Sequence, residues 1–489
     1  MVNAELRVQR HDPIITSDKS RVMMRSSVPR PRSTARIKAI LGRIMKMNDI
    51  EAAEMLSKVF ESFRSRHRDL EGVFRRRFDE MKKYLRRGYD PSLQMQMLIG
   101  AYFTCEYSLE AAALFNPSIV PHPDQSGAPQ GSLRFIMSLR ATGEGHISSI
   151  EFRTGTISNG GIVQLDPRER FAVSPEVEQD PQYEKDEFLV KTKDEGYLNA
   201  TTKAVIGSLP KLFKRSELLA SVTKVKKKNR NLSAERSKAL QYLEALSELN
   251  YEISFPERQA LSESVIFPVS LFESNGIEDA RFVRFVDNGS VRYYATYTAY
   301  NGRQIMPLLL ETEDFRHFRV RSLSGKAAKN KGMALFPRKI RGRYVMVSRQ
   351  DGENLYCVFS NTLYSWQRPG TLLKPEYPWE FMQIGNCGSP IETAQGWILL
   401  THGVGPVRKY CIGAVLLDLE DPTRVIGRLK EPLIEPDETE REGYVPNVVY
   451  TCGAIAHNGI LVIPYALSDQ ASRFASIGLS ELLRAMRQP

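Results

Sequence analysis

The chain has 489 residues, 42% of them apolar and 26% charged, the balance of a soluble globular protein long enough to hold more than one unit. Its net formal charge of +11 is uneven: residues 1–110 carry 22 Lys and Arg against 14 Asp and Glu, and with no nucleic-acid motif beside that charge a nucleic-acid partner is not expected. No apolar run nears the ~20 residues of a membrane span and the first residues lack a secretory core, so a cytoplasmic protein with no membrane partner is expected; five scattered cysteines without a CxxC argue against a disulfide framework or zinc.

Residues 1–32 mix Arg, Ser and Pro without periodicity. They read as a flexible basic arm, disordered or ordered only against another surface. Helical spacing follows over 33–114. Ile37, Ile40, Leu41 and Ile44 form one stripe; Met55, Leu56, Val59, Phe60 and Phe63 form a second. Asn48 or Asp49 is the expected cap between them. A third stripe runs from Leu70 to Leu85 and stops near Gly88, and a last helix is expected from Ser92 to Leu114. This region carries no chemistry; it covers a flank or forms a subunit contact, and a homo-oligomer through it is the expectation.

At Phe115-Asn-Pro-Ser118 the texture changes. Short β-type runs now alternate with Gly, Asn, Asp and Pro turns over 115–478, as in Leu133–Leu139, Ile147–Phe152, Tyr293–Tyr300, Trp397–Thr401 and Ile460–Tyr465. Such spacing fits a sandwich, barrel or propeller without choosing among them. A Lys-rich, helical insertion at about 210–248 interrupts the pattern and reads as a solvated excursion. Residues 479–489 read as a closing helix and tail.

Several polar motifs stand out in this β region. Glu278 and Asp279 follow the turn-prone Asn275-Gly276 and precede a strand. Alternation along a strand lets only one of the two acids face a given cleft, with Arg281 on the same face as Asp279. The segment Arg140-Ala-Thr-Gly-Glu-Gly-His-Ile-Ser-Ser-Ile-Glu-Phe-Arg153 brings Arg140, His146 and Arg153 to one strand–turn–strand that offers fixed donors to sugar hydroxyls and Arg to phosphate. Further on come Lys331 before Leu335-Phe-Pro337, Arg349 after the next apolar run, His402 at the end of Gly396–Thr401, Tyr410, and Asp469 after Tyr465. No His pair has metal-ligand spacing, so no metal is expected. Cys387 reads as an inert buried thiol, and Trp366 and Trp397 as core rather than sugar platforms.

Gly276-Ile-Glu-Asp-Ala-Arg281 followed by Tyr294-Ala-Thr-Tyr-Thr-Ala-Tyr300 resembles the signature of glycoside hydrolase family 130, the β-mannoside phosphorylases and mannosidases, with Ala280 where the family usually has Pro. The resemblance runs from about Phe115 to Ile477 apart from the insertion, and a preceding helical region is typical of the longer members. It implies a mainly β fold, a five-bladed β-propeller preceded by an α-helical N-terminal region, with the site on the central axis. It further implies Asp279 as the general acid and Asn116, Arg140, His146 and Asp469 as sugar-binding residues. Lys331, Arg349, His402 and Tyr410 would hold phosphate, with Arg153 a further candidate.

Inverting hydrolysis needs an acid and a second carboxylate that activates water. Phosphorolysis needs only the acid, plus cations for a nucleophile that arrives charged. The groups expected opposite Asp279 are cations and donors. The expected function is therefore an inverting β-mannoside phosphorylase, transferring a terminal β-mannosyl unit to phosphate to give α-mannose 1-phosphate, reversibly. Its partners are a β-mannoside oligosaccharide and phosphate as co-substrate, with no cofactor. The alternatives are an inverting β-mannosidase and a glycan-binding propeller without activity.

Overall fold

The computed structural model describes residues 6–28, 33–229 and 232–487. The remaining parts of the expected arm (1–5 and 29–32), insertion (230–231) and tail (488–489) lie outside the described residues. The fold is mainly β. Its hairpins follow from local sequence: Gly276–Asp287 and Ser290–Tyr300 are joined by Asn288-Gly289 with φ of 49° and 82°, the two-residue turn whose left-handed pair matches strand twist. Asn458-Gly459, with φ of 47° and 77°, makes the same turn before Ile460–Leu467.

Consecutive antiparallel units succeed one another along the chain. Ala113–Pro121, Leu133–Thr142 and Ser148–Ile157 form the first ladder. Gly276–Asp287, Ser290–Tyr300, Ile305–Thr312 and His317–Ser322 form the second, whose first strand meets the first ladder at the parallel pair Gly276 and Ser148. Tyr344–Ser348 and Leu355–Ser360 centre a third; Gly396–Val404 and Tyr410–Leu417 a fourth. Ile460–Leu467 and Ala471–Gly478 centre a fifth. Apolar clusters lie between successive units, for example Phe336, Val347 and Ile384 with Trp397, and Ile398, Ile412 and Val449 with Ile463. Trp366 and Trp397 are fully buried in these clusters.

Three differences from the sequence reading concern packing partners far away in the chain. Within residues 6–28 the expected arm forms two strands that no periodicity announced: Gln9–Ile15 pairs with Ala471–Gly478, with Gln9 opposite Ser476, and Val22–Ser26 pairs with Thr104–Ser108. Backbone pairing supplies what side-chain periodicity could not advertise. For the same reason the helix expected to reach Leu114 ends at Tyr102, and Thr104–Ser108 becomes a strand. The other helices are Thr34–Ile44, Asp49–Phe63 and Leu70–Met81, and Asn48 caps the second through a reciprocal bond with Glu51. The helical excursion also begins earlier than residue 210. Lys185–Asp194, Ala200–Gly207, Arg215–Lys228 and Ala234–Leu249 enclose their own core of Phe188, Val205, Phe213, Leu218, Leu240 and Leu243.

Candidate active site

Two bulges build the acidic side of the site. Opposite Thr298 and Thr296 the strand Gly276–Asp287 spends one extra residue between Glu278 and Arg281, and Asp279 takes a φ of 56°. A bulge of this kind re-aims side chains and breaks the two-residue alternation. Both carboxylates therefore reach the same guanidinium, contrary to the alternation expected from the sequence. Arg140 Nη2 donates to Glu278 Oε1 at 2.8 Å and Arg140 Nη1 to Asp279 Oδ1 at 3.4 Å. The second bulge, between Phe115 and Ser118, gives Asn116 a φ of 50°. Asn116 Nδ2 then donates to Asp279 Oδ1 at 2.7 Å.

Arg281 ties this side to the next. It is 1% exposed; Nη1 donates to the Asp279 carbonyl at 2.8 Å, Nε to the Cys387 carbonyl at 2.8 Å and Nη2 to the Tyr450 hydroxyl at 2.7 Å. Tyr450 stands edge-on to His402, with ring centroids 5.0 Å apart, and the Tyr410 ring lies parallel to His402 at 6.0 Å. Arg349 Nη1 lies 3.1 Å from His402 Nε2. Gln383 accepts from His402 Nε2 at 3.1 Å and from Arg349, and donates to the Gly352 carbonyl at 3.1 Å.

Glycine makes this closeness attainable at two positions. A Cβ on Gly332, whose φ is 89°, would sit 2.6 Å from Arg349 Nε. A Cβ on Gly385 would sit 2.5 Å from the His402 ring and 3.0 Å from Arg349 Cδ. Lys331, adjoining Gly332, extends to Glu278 Oε2 at 2.5 Å. Arg349 and His402 thus meet each other, while Lys331 reaches across to the acidic side.

The charges set the protonation states. Burial pushes the Asp279 carboxyl up, but Arg140, Arg281, Lys331 and the Asn116 bond together hold it down at about 2. Asp469 is pushed the other way, to about 6, by burial and then by the charge of Asp279, against the pull of Arg140 and Arg408. Burial, Arg349 and Arg281 hold His402 well below its ordinary value, so the ring is neutral near pH 7. Burial pushes the Cys387 thiol up to about 12, an inert group whose carbonyl is what the site uses.

Two expected residues lie elsewhere. Arg153 faces the other side of its sheet: Arg140 is opposite Ile150, so Arg153, three residues on, has the opposite parity. It is committed to Glu110 at 3.1 Å and Glu151 at 3.6 Å, in a buried ionic cluster with Arg21 and Arg168. His146 is exposed at the hairpin tip, with Nδ1 3.3 Å from the Tyr444 hydroxyl. Gly443, beside Tyr444, packs on Ser468, which puts that pair next to the Asp469 turn. The sequence reading passed over Gln383 and Tyr450; neither carries a charge to attract notice. Among the described residues no group of three or more His, Cys, Asp or Glu is placed to hold a metal ion, and no helix is long and apolar enough to cross a membrane.

A mainly β scaffold that sets a buried acid among arginines, a lysine, a histidine and tyrosines is an arrangement suited to a carbohydrate-active enzyme. The chain belongs to glycoside hydrolase family 130, matching the family described as beta-1,4-mannooligosaccharide phosphorylase over residues 241–488. It is 36% identical to a 1,2-beta-oligomannan phosphorylase of Thermoanaerobacter sp. over 43% of this chain and 71% of that protein. It is 31% identical to a beta-1,2-mannobiose phosphorylase of Listeria innocua over 45% of this chain and 63% of that protein, so the match spans somewhat less than two thirds of this relative. A solved structure of a beta-1,2-mannobiose phosphorylase from Listeria innocua superposes with a TM-score of 0.46 at 22% identity, over 78% of this chain and 93% of that one.

Proposed function

We propose that this protein is an inverting β-mannoside phosphorylase, with Asp279 as the acid and Lys331, Arg349, His402 and Tyr410 as the phosphate pocket. We also read its five antiparallel units as the blades of a propeller around the axis where these side chains meet, the strand Gln9–Ile15 completing the last blade. One observation carries the functional reading: Arg281 bridges a single acid, Asp279, to a neighbouring nest of Arg349, His402 and Tyr450. Asn116 Oδ1 and Arg349 Nε, buried and without a protein hydrogen-bond partner among the described residues, support the same reading. Such groups cost about 1–3 kcal/mol each unless satisfied.

Phosphate attacks the anomeric carbon from the cation side as the bond to the leaving oxygen breaks, and configuration inverts. The leaving oxygen takes a proton from Asp279. In the free protein Asp279 is ionised, so it must gain that proton as ligands bind. An incoming phosphate dianion occupies Lys331 and Arg349 and adds negative charge nearby, and both effects raise the Asp279 carboxyl. Asn116, Arg140 and Asp469 bound the sugar side, and the exposed His146–Tyr444 pair the outer rim. The products are α-mannose 1-phosphate and the freed acceptor.

The hydrolase alternative needs a carboxylate opposite the acid. Both oxygens of Glu278 are taken by cations, and the charges Asp469 feels belong to Asp279, Arg140, Arg408 and Glu278, not to the His402 side. The deciding experiment incubates the protein with α-mannose 1-phosphate and a panel of acceptor sugars and scores released phosphate. Mannose release from β-mannosides without phosphate would establish the hydrolase instead.

A further inference from the structure

The geometry points to Glu278 as a positioning residue of the phosphate site, one that holds Lys331 and Arg140 on either side of Asp279 and gives up Lys331 to the incoming anion. This rests on the phosphorylase reading and deepens it. The Glu278 carboxylate is split between two cations, Oε1 with Arg140 at 2.8 Å and Oε2 with Lys331 at 2.5 Å. Its side chain is 9% exposed while that of Lys331 is 31% exposed, so the acid is the fixed partner and the lysine the mobile one. The bulge fixes it: Glu278 is still in register with Thr298, and only the extra residue after it turns Asp279 to the same side.

Each contact has a consequence. A lysine ammonium has three donors on a flexible stem, so Lys331 can exchange Glu278 for a phosphate oxygen across a short arc. Until then Glu278 neutralises it, and a carboxylate beside the pocket repels a dianion. Glu278 thereby weakens phosphate binding while keeping Lys331 at the pocket. Meanwhile it occupies one arm of the Arg140 fork. Without it both arms fall to Asp279, which is then held more firmly ionised and is a poorer proton donor. Glu278 trades anion affinity for proton transfer.

The test compares E278Q, E278D, K331Q and E278Q/K331Q with the unaltered protein, by calorimetric titration with inorganic phosphate alone and by steady-state kinetics with phosphate and a β-mannoside. Removing one like charge at this range should tighten phosphate binding about three- to tenfold in E278Q, with a parallel fall in the KM for phosphate and a kcat lower by at least about tenfold. K331Q should weaken phosphate binding, and the gain from E278Q should shrink in the double variant to the part due to like-charge repulsion alone. E278D keeps the charge and should recover part of kcat. A purely structural role would lower kcat without tightening phosphate binding, and unchanged or weaker binding in a folded E278Q overturns the proposal. Should E278Q not fold, E278D decides: phosphate affinity within about twofold of the unaltered protein's with a reduced but measurable kcat supports it, and loss of both overturns it. Phosphate-independent turnover by the unaltered protein would instead overturn the phosphorylase reading itself.

Discussion

Asp279 and Arg281 lie two residues apart in one strand, and the guanidinium of Arg281 holds the Asp279 carbonyl at 2.8 Å while one of its nitrogens stands 3.8 Å from the carboxylate. The acid is therefore gripped through its own backbone by a group whose other arms reach Cys387 and Tyr450. The backbone that carries the carboxylate is thereby tied to the neighbouring unit.

Replacing Asp279 by Asn should leave the fold intact and remove proton delivery. Loss of a positioned general acid costs about 10²–10⁴ in rate, read as phosphate released from α-mannose 1-phosphate with an acceptor present. Activity within twofold of the unaltered protein would remove Asp279 from the mechanism.

Arg349→Lys should raise the KM for phosphate by about ten- to hundredfold, because a charged hydrogen bond is worth roughly 1.5–3 kcal/mol and an ammonium cannot reproduce a planar fork. Gly332→Ala should act in the same direction by a different route. Its Cβ would meet Arg349 Nε and its φ is positive, so the alanine displaces the arginine it backs. Phosphate KM measured at fixed sugar checks both, and an unchanged value in both would place phosphate elsewhere.

Asp469→Asn has a pH signature. The folded carboxyl is raised to about 6 from 3.8, so the native state binds protons more readily than the unfolded chain between those values. Its stabilising contribution is complete below 3.8 and disappears as pH rises through about 6. The variant should therefore melt about 1–2 °C higher than the unaltered protein at pH 7.5 and equally at pH 3.5. Equal melting at both pH values would contradict the burial and charge assigned to this acid. Its sugar KM should rise.

Arg153→Gln should lower stability and spare phosphate. Its partners Glu110 and Glu151 are fully buried and keep Arg168 and Arg21, so losing one of the cluster's cations should cost less than the ~3–5 kcal/mol of a fully unpaired buried charge. Denaturant midpoint and phosphate KM together check this. A raised KM in a folded variant would return Arg153 to the site.

What the sequence disclosed follows a physical division. Arg349 and His402 close apolar runs and Lys331 and Tyr410 precede them, where a polar residue is conspicuous, and the fold brings Arg349 and Tyr410 to His402. The sharing of Arg140 by Glu278 and Asp279 was hidden, because a bulge adds a residue without leaving a mark in a period-two pattern; Ala280 is neither Gly nor Pro. Arg153 was misassigned by a single step of parity. Gln9–Ile15 was hidden for a different reason: its strand pairing is with backbone more than 450 positions away, and its side chains are mostly exposed. The helices Lys185–Asp194 and Ala200–Gly207 escaped notice because short, polar segments carry little stripe to read.

The pairing of Gln9–Ile15 with Ala471–Gly478 also bears on biogenesis. The last sheet obtains its outermost strand from a segment more than 450 positions earlier in the chain, so that sheet can be completed only after Ala471–Gly478 has been synthesised. Until then Gln9–Ile15 lacks its partner strand, and in a chain without Gln9–Ile15 the edge of Ala471–Gly478 presents bare amides and carbonyls to other chains. Trimming the protein before residue 16 should accordingly yield material that self-associates on refolding, even though no residue of the site has been touched.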